Sequence, residues 1–261
     1  MRRGELFWGG LLILVGLLFL AGNLWGFNAG VFFWPLVLIA VGVWILWGTL
    51  RGPDAVETER LSLPLEGEDE AHLRLTYGAG RLSVTGDAAA GTLLEGRFTG
   101  GLRHTRRRVD GRTEVTLRPG TEFWTWIPGF PASREWQLRL TQEIPLSLSV
   151  EVGASDTRLD LRSLQVTALD VETGASSVEV WLPKAAGYTR VDVDAGAASV
   201  VFRVPENVAA RIHTEVALSG VDVDRERFPR TGKVYLSPNY ATAEHRVEIH
   251  VEGGVGSLTV Q

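Results

Sequence analysis

One short pattern returns along this chain at a nearly fixed step, and it limits the possible folds more than any other feature. LSVEVGASDTRLDL begins at Leu148, LDVETGASSVEVWL at Leu169 and VDVDAGAASVVFRV at Val191, with a looser copy, IHTEVALSGVDV, from Ile212. The starts lie 21, 22 and 21 residues apart, the kind of period that marks stacked repeats. Within each unit apolar residues take every second position, the alternation stops at Gly-Ala, and then it resumes, as strands require. The pattern predicts two short strands joined by a tight turn. Val150, Val171 and Val193 point inward before the turn, and Leu159, Val180 and Phe202 after it. Gly153, Gly174 and Gly196 are expected to take the positive φ of the turn, while Ala154, Ala175 and Ala197 let layers stack closely. One such layer buries too little apolar surface to stand alone. The expected fold is therefore an all-β, solenoid-like stack of short strands.

The same motif occurs once before the array. LRLTYGAGRLSV alternates at Leu73, Leu75 and Tyr77, breaks at Gly78-Ala79 and resumes at Leu82 and Val84. A phosphate-binding reading of Gly78-Ala79-Gly80 fails because a strand follows where a helix would have to begin. In GGLRHTRRRVDGRTEVTL, Asp110-Gly111 is a hairpin signal with a strand on its far side. Arg106, Arg107 and Arg108 in that segment have two readings: a contact for lipid headgroups or an acidic partner, or one solvated strand. Phe123, Trp124 and Trp126 cluster in EFWTWIPGFP, either as a cap on the open end of the stack or as an exposed patch for a partner or bilayer surface. Trp136, Leu138 and Leu140 then alternate into the array. Residues 225–244 break the period and read as a surface excursion, after which HRVEIHVEGGVGSLTV closes the stack as a final layer.

Residues 1–51 have a different character. Apolar runs at about 6–25 and 31–50 each approach the roughly 20 residues that a helix needs to cross a bilayer. They are joined by Gly26-Phe27-Asn28-Ala29-Gly30, and Trp8, Trp25, Trp34 and Trp47 sit near their ends, as interfacial aromatics do. The run after Arg2-Arg3 is too long for a cleaved signal peptide and lacks a small-x-small site. We therefore expect a two-helix transmembrane hairpin (1–51), a linker (52–71), an N-terminal part of the β-domain carrying the aromatic segment (72–147) and the repeat array (148–261). Gly9, Gly16 and Asn23, and likewise Pro35, Gly42 and Thr49, fall seven apart and could form a close-packed seam. Arg2, Arg3 and Arg51 flank the spans and the connecting turn has no charge, so both ends, and the β-domain, are expected in the cytoplasm of a multi-pass membrane protein.

The chemistry-bearing residues form no recognisable set. A net charge of −5 argues against nucleic acid as the main partner. The chain has no cysteine, so no disulfide and no thiolate chemistry. His245 and His250 are five apart in a strand pattern and face opposite sides. Asp192, Asp194, Asp222 and Asp224 alternate with valines and read as solvent-facing positions rather than a calcium loop. No histidine and carboxylate accompany any serine in a nucleophilic motif. The sequence assigns no cofactor, no metal and no catalytic residue.

Two features together resemble a known family. The Gly- and Trp-rich RRGELFWGGLLILVGLLFLAGNLWG resembles the transmembrane region of bacterial LiaI/LiaF-like proteins. The Gly-Ala-Ser repeats and the closing EGGVGSLTV resemble the toast-rack domain, a stacked β-domain also found in adhesin-like proteins. The resemblance implies a membrane-anchored, non-catalytic regulator or scaffold of the cell-envelope stress response that acts through protein contacts. Its implied partners are the lipid bilayer, a membrane or envelope-stress protein and, compatibly, further copies of itself as a homo-oligomer. The alternative is a surface-displayed adhesin-like domain held by the same hairpin, which would have to face outward.

Overall fold

The computed structural model describes residues 38, 42, 58–109, 111–120, 135–216 and 220–261. Leu38 and Gly42 are helical. All the other described residues belong to one compact unit, Val56–Glu122 with Ala132–Gln261. The proposed spans and their seam lie outside the described residues, those two positions excepted. Among the described residues no helix is long and apolar enough to cross a membrane.

In chain order the strands are β1 (Thr58–Pro64), β2 (Glu70–Thr85), β3 (Thr92–Thr99), β4 (Leu102–Val109), β5 (Arg112–Pro119), β6 (Glu135–Leu140), β7 (Leu146–Asp160) and β8 (Val166–Thr173). They continue as β9 (Ser177–Trp181), β10 (Tyr188–Arg203), β11 (Ala209–Val216), β12 (Gly220–Val223), β13 (Arg230–Thr231), β14 (Val234–Leu236) and β15 (Arg246–Val260). The stack is a run of parallel layers. β2 lies beside β7, β7 beside β8 and β9, these beside β10, β10 beside β15, and β15 beside β11 and β12. The repeat period survives as register: Leu73 stands opposite Leu148, Leu148 opposite Leu169, Leu169 opposite Val191. Val150, Val171, Val193, Leu159, Val180 and Phe202 are all buried, as the alternation requires.

The Leu169 repeat breaks at Gly174-Ala175 into β8 and β9, but elsewhere the joint differs from the expected turn. β7 and β10 each run unbroken through Gly-Ala as one strand, and the inward phase slips there. Leu148, Val150 and Val152 are buried before Gly153-Ala154, and Ser155, Thr157 and Leu159 after it. Two successive exposed residues thus turn a corner, so that both halves of the strand face the same core. Gly153, Gly174 and Gly196 do not take positive φ. They are needed for closeness instead. A Cβ on Gly174 would stand 3.0 Å from the carbonyl oxygen of Gly153, and one on Gly196 would stand 3.2 Å from that of Gly174. A Cβ on Gly153 would run into the carbonyl oxygen of Gly78. The neighbouring layer's backbone fills the place of the side chain, and hydrogen bonds such as Ala197 N–H to Gly174 C=O (2.9 Å) hold the corners together. The alanines that follow are exposed at the corner.

Three further expectations change. The last repeat does not close the stack, because β15 lies between β10 and β11. Residues read as a linker form the edge strand β1, antiparallel to β3. The excursion after the array brings Phe228 and Tyr235 into the core, and its β14 extends the sheet antiparallel to β11. At the other end β2 branches: its first half pairs with β5 and then β4, its second half with β6, β3 and β1. The β4–β5 hairpin has the expected two-residue connection, with Gly111 at φ 83°. Trp136 anchors this end, 4.9 Å from Tyr77 and edge-on to Phe98 at 5.1 Å.

Candidate functional site

Sheet pleating points every second side chain of each layer outward, and in-register stacking lines up like positions into rows. The expected contact arginines lie on β4, an edge strand, where charge also discourages edge-to-edge pairing. Two of the three have structural work. Arg106 is half-buried, pairs with Glu68 and stands 3.4 Å from Glu66. Arg108 donates to the Gly67 carbonyl at 3.2 Å. Arg107 is exposed, opposite Glu114 in the hairpin register. Phe123, Trp124 and Trp126 lie outside the described residues.

Glu68 is the buried end of that clasp, only 4 % exposed. Burial pushes its carboxyl up. The Arg106 guanidinium, the backbone N–H groups of Glu66 and Glu68 and the Thr113 hydroxyl (3.1 Å) outweigh burial and hold it below the usual carboxylate range. The clasp ties residues 66–68 to the β4–β5 hairpin.

Sequence reasoning missed a longer feature. Glu151, Glu172, Asp194, Glu252 and Glu215 stand in one in-register row across five layers, all exposed. Parallel strands lie about 4.8 Å apart, so this is a continuous acidic stripe beside the corner. Its signal is in the repeats: an acid stands two residues before the corner glycine at Gly153, Gly174, Gly196 and Gly254. The neighbouring row places Asp192, His250 and His213 side by side. The two imidazoles are 5.5 Å apart, and His250 lies 3.7 Å from Asp192 and 3.5 Å from Glu248. His245, just before β15, instead accepts the Gly187 N–H (3.3 Å). Glu248 accepts the Tyr188 hydroxyl at 2.7 Å, which holds Glu248 low and pushes the Tyr188 phenol up to about 12. Among the described residues no three His, Asp or Glu side chains stand where they could hold a metal ion.

A second charged region lies on the outer face of β1, β3, β6 and β2. One in-register row runs Arg60, Arg97, Gln137, Ser83, and the next Ser62, Glu95, Arg139, Thr85. Between their long side chains lies a groove of about 580 Å³. Arg139 is paired with Glu95 at 3.0 Å. Arg60 and Arg97 are exposed and have no ion-pair or hydrogen-bond partner among the described residues.

This architecture has a solved counterpart. A "putative cell adhesion protein" from Clostridium sporogenes superposes with a TM-score of 0.69 at 19 % identity, over 78 % of this chain and 98 % of that one. A "putative adhesin" from Bacteroides fragilis aligns over 80 % of this chain and 99 % of its own, at 11 % identity and a TM-score of 0.28. No curated protein matches the chain in sequence. The family model described as the N-terminal domain of toast_rack, DUF2154, matches residues 52–203, the stretch from just before β1 to the end of β10. With more than half its length matched, the chain belongs to the toast-rack N-terminal domain family.

Proposed function

We propose that this protein is a non-catalytic scaffold or regulatory module of the bacterial cell envelope. It is anchored in the membrane by the apolar hairpin of residues 1–51 and acts through protein contacts made by its stacked β-domain. The observation that carries this reading is the row Glu151, Glu172, Asp194, Glu252 and Glu215. A rigid stack that repeats one exposed charge at each layer offers a long surface for a basic partner and creates no enclosed reaction site. The role in envelope stress rests on the resemblance of the N-terminal segment to LiaI/LiaF-like proteins. Crosslinking in living cells, followed by capture of the full chain from membranes, tests it. The expected result is a membrane protein whose recovery falls when Glu172 and Asp194 are changed to Lys. Recovery of the same partners by both forms would refute the assignment of the acidic stripe.

A second reading, a surface-displayed adhesin-like domain, is favoured by the name of the Clostridium sporogenes structural neighbour. Topology separates the two, and the chain has no cysteine. A single Glu206→Cys reporter on an exposed position can therefore be probed with a membrane-impermeant maleimide on intact cells. The scaffold reading with a cytoplasmic domain expects no labelling until the cells are lysed. Labelling of intact cells would select the adhesin reading.

A further inference from the structure

The groove on the outer face of β1, β3, β6 and β2 has the chemistry of an anion site. Arg60 and Arg97 stand directly opposite each other on antiparallel strands, both exposed. Like charges so placed weaken a strand pair unless something anionic sits between them. Other arginines are settled by a carboxylate nearby, as with Arg190 and Asp192 at 2.6 Å or Arg203 and Glu179 at 2.8 Å. Among the described residues no carboxylate pairs with either arginine. The hydroxyls of Ser62 and Ser83 border the same groove as neutral donors. Among the described residues no aromatic ring lines it, and they offer no stacking platform for a base or sugar ring. What remains is recognition by charge and hydrogen bonds, and a guanidinium fork matches a tetrahedral oxyanion in two-point fashion. At about 580 Å³ the groove is in the range of small-molecule sites and has room beyond one oxyanion.

We propose that this groove binds a phosphate group carried on a larger molecule, gripped by Arg60 and Arg97 with Ser62 and Ser83 as supporting donors. The net charge of −5 argues against nucleic acid as the carrier. Two sources share the chemistry, a phosphodiester polymer and a phospholipid headgroup. The site uses only the β-domain and stands or falls independently of the acidic stripe.

The test uses the full chain in a phosphate-free maltoside detergent, titrated calorimetrically with soluble poly(glycerol phosphate) and with mixed micelles containing phosphatidylglycerol. The hairpin supplies a control, because Arg103 and Arg118 oppose each other in the same way but do not line the groove. Arg60→Gln with Arg97→Gln should weaken binding at least tenfold, while Arg103→Gln with Arg118→Gln should change it less than threefold. Arg97→Lys, which keeps the charge and loses the fork, should fall between them. If the double variant of the groove does not fold, this single variant carries the comparison. Arginine-dependent binding of the polymer alone makes the source a polymer, and of the micelles alone a lipid. Absence of binding to both probes, or equal losses in the groove and hairpin variants, would overturn the proposal.

Discussion

The corner glycines permit a graded test of why the layers stack as they do. A methyl group added at Gly78 meets nothing within 4 Å, whereas at Gly254, Gly196 and Gly174 it would approach a neighbouring carbonyl oxygen at 3.4, 3.2 and 3.0 Å. At Gly153 it would overlap the carbonyl oxygen of Gly78 outright. These positions have ordinary backbone angles, so replacing Gly by Ala adds no φ strain and should stabilise by about 0.4–1 kcal/mol through the unfolded chain. Overpacking opposes that gain by about 1–3 kcal/mol where the neighbour is backbone and cannot swing aside. Gly78→Ala should therefore be neutral or mildly stabilising. Gly153→Ala should lose a net ~1–2 kcal/mol, a fall in melting temperature of about 2–8 °C for a domain of this size. Gly254→Ala, Gly196→Ala and Gly174→Ala should fall between, in that order. Thermal melts of the full chain followed by circular dichroism read the series directly. If Gly153→Ala melts at or above Gly78→Ala, the corners are not held apart by Cβ–carbonyl contact and the account of the stack fails.

The other predictions concern the charged groups. Glu68→Ala strands the half-buried Arg106 and the buried Thr113 hydroxyl, and should destabilise by about 1–3 kcal/mol in denaturant titration. Because the Glu68 carboxyl is held below its ordinary value, its contribution is present above the usual carboxylate range and lost as pH falls through the lowered folded value. The native chain should thus lose more stability than Glu68→Gln on acidification. Glu172→Gln relieves two neighbours in the acidic row, each repulsion about 1 kcal/mol before screening, so its melting temperature should rise at low salt and converge on the native value in high salt. The Tyr188 phenol, pushed up to about 12 by the hydrogen bond it gives Glu248 and by its burial, should return toward 10 in Glu248→Gln, as ultraviolet titration of phenolate would report.

The parts of the fold that rest on alternation were legible because burial on one face leaves a period-two trace. Val150, Leu159, Trp136 and Ile249 all sit where the pattern placed them. The corner was misread because a turn and a close approach both select glycine, and only neighbouring backbone distinguishes them. The edge strand β1 was missed because TERLSLP buries only Leu63, too few inward residues to leave a period. Of the candidate contact residues, Arg106 looked free in the sequence because its partner Glu68 is 38 residues away. The groove was illegible for a like reason: Arg60 and Arg97 become neighbours only through antiparallel pairing across 37 residues.

The place of β15 follows from the same corner rule. A layer seated on β10 must pass its corner close to the backbone of Ala195 and Ala198, and a Cβ at Gly253 or Gly256 would strike their carbonyl oxygens. The closing EGGVGS carries glycine at 253, 254 and 256, whereas the looser copy reads EVALSG, with Val216 in register with Gly253. That copy has valine, not glycine, at the position of Gly253, and it lies one layer farther out, as β11 and β12 against β15. Order in the chain therefore yields to fit at the corner. The last strand is an inner layer with a neighbour on each side, and the copy that has Val216 in place of Gly253 lies beyond it.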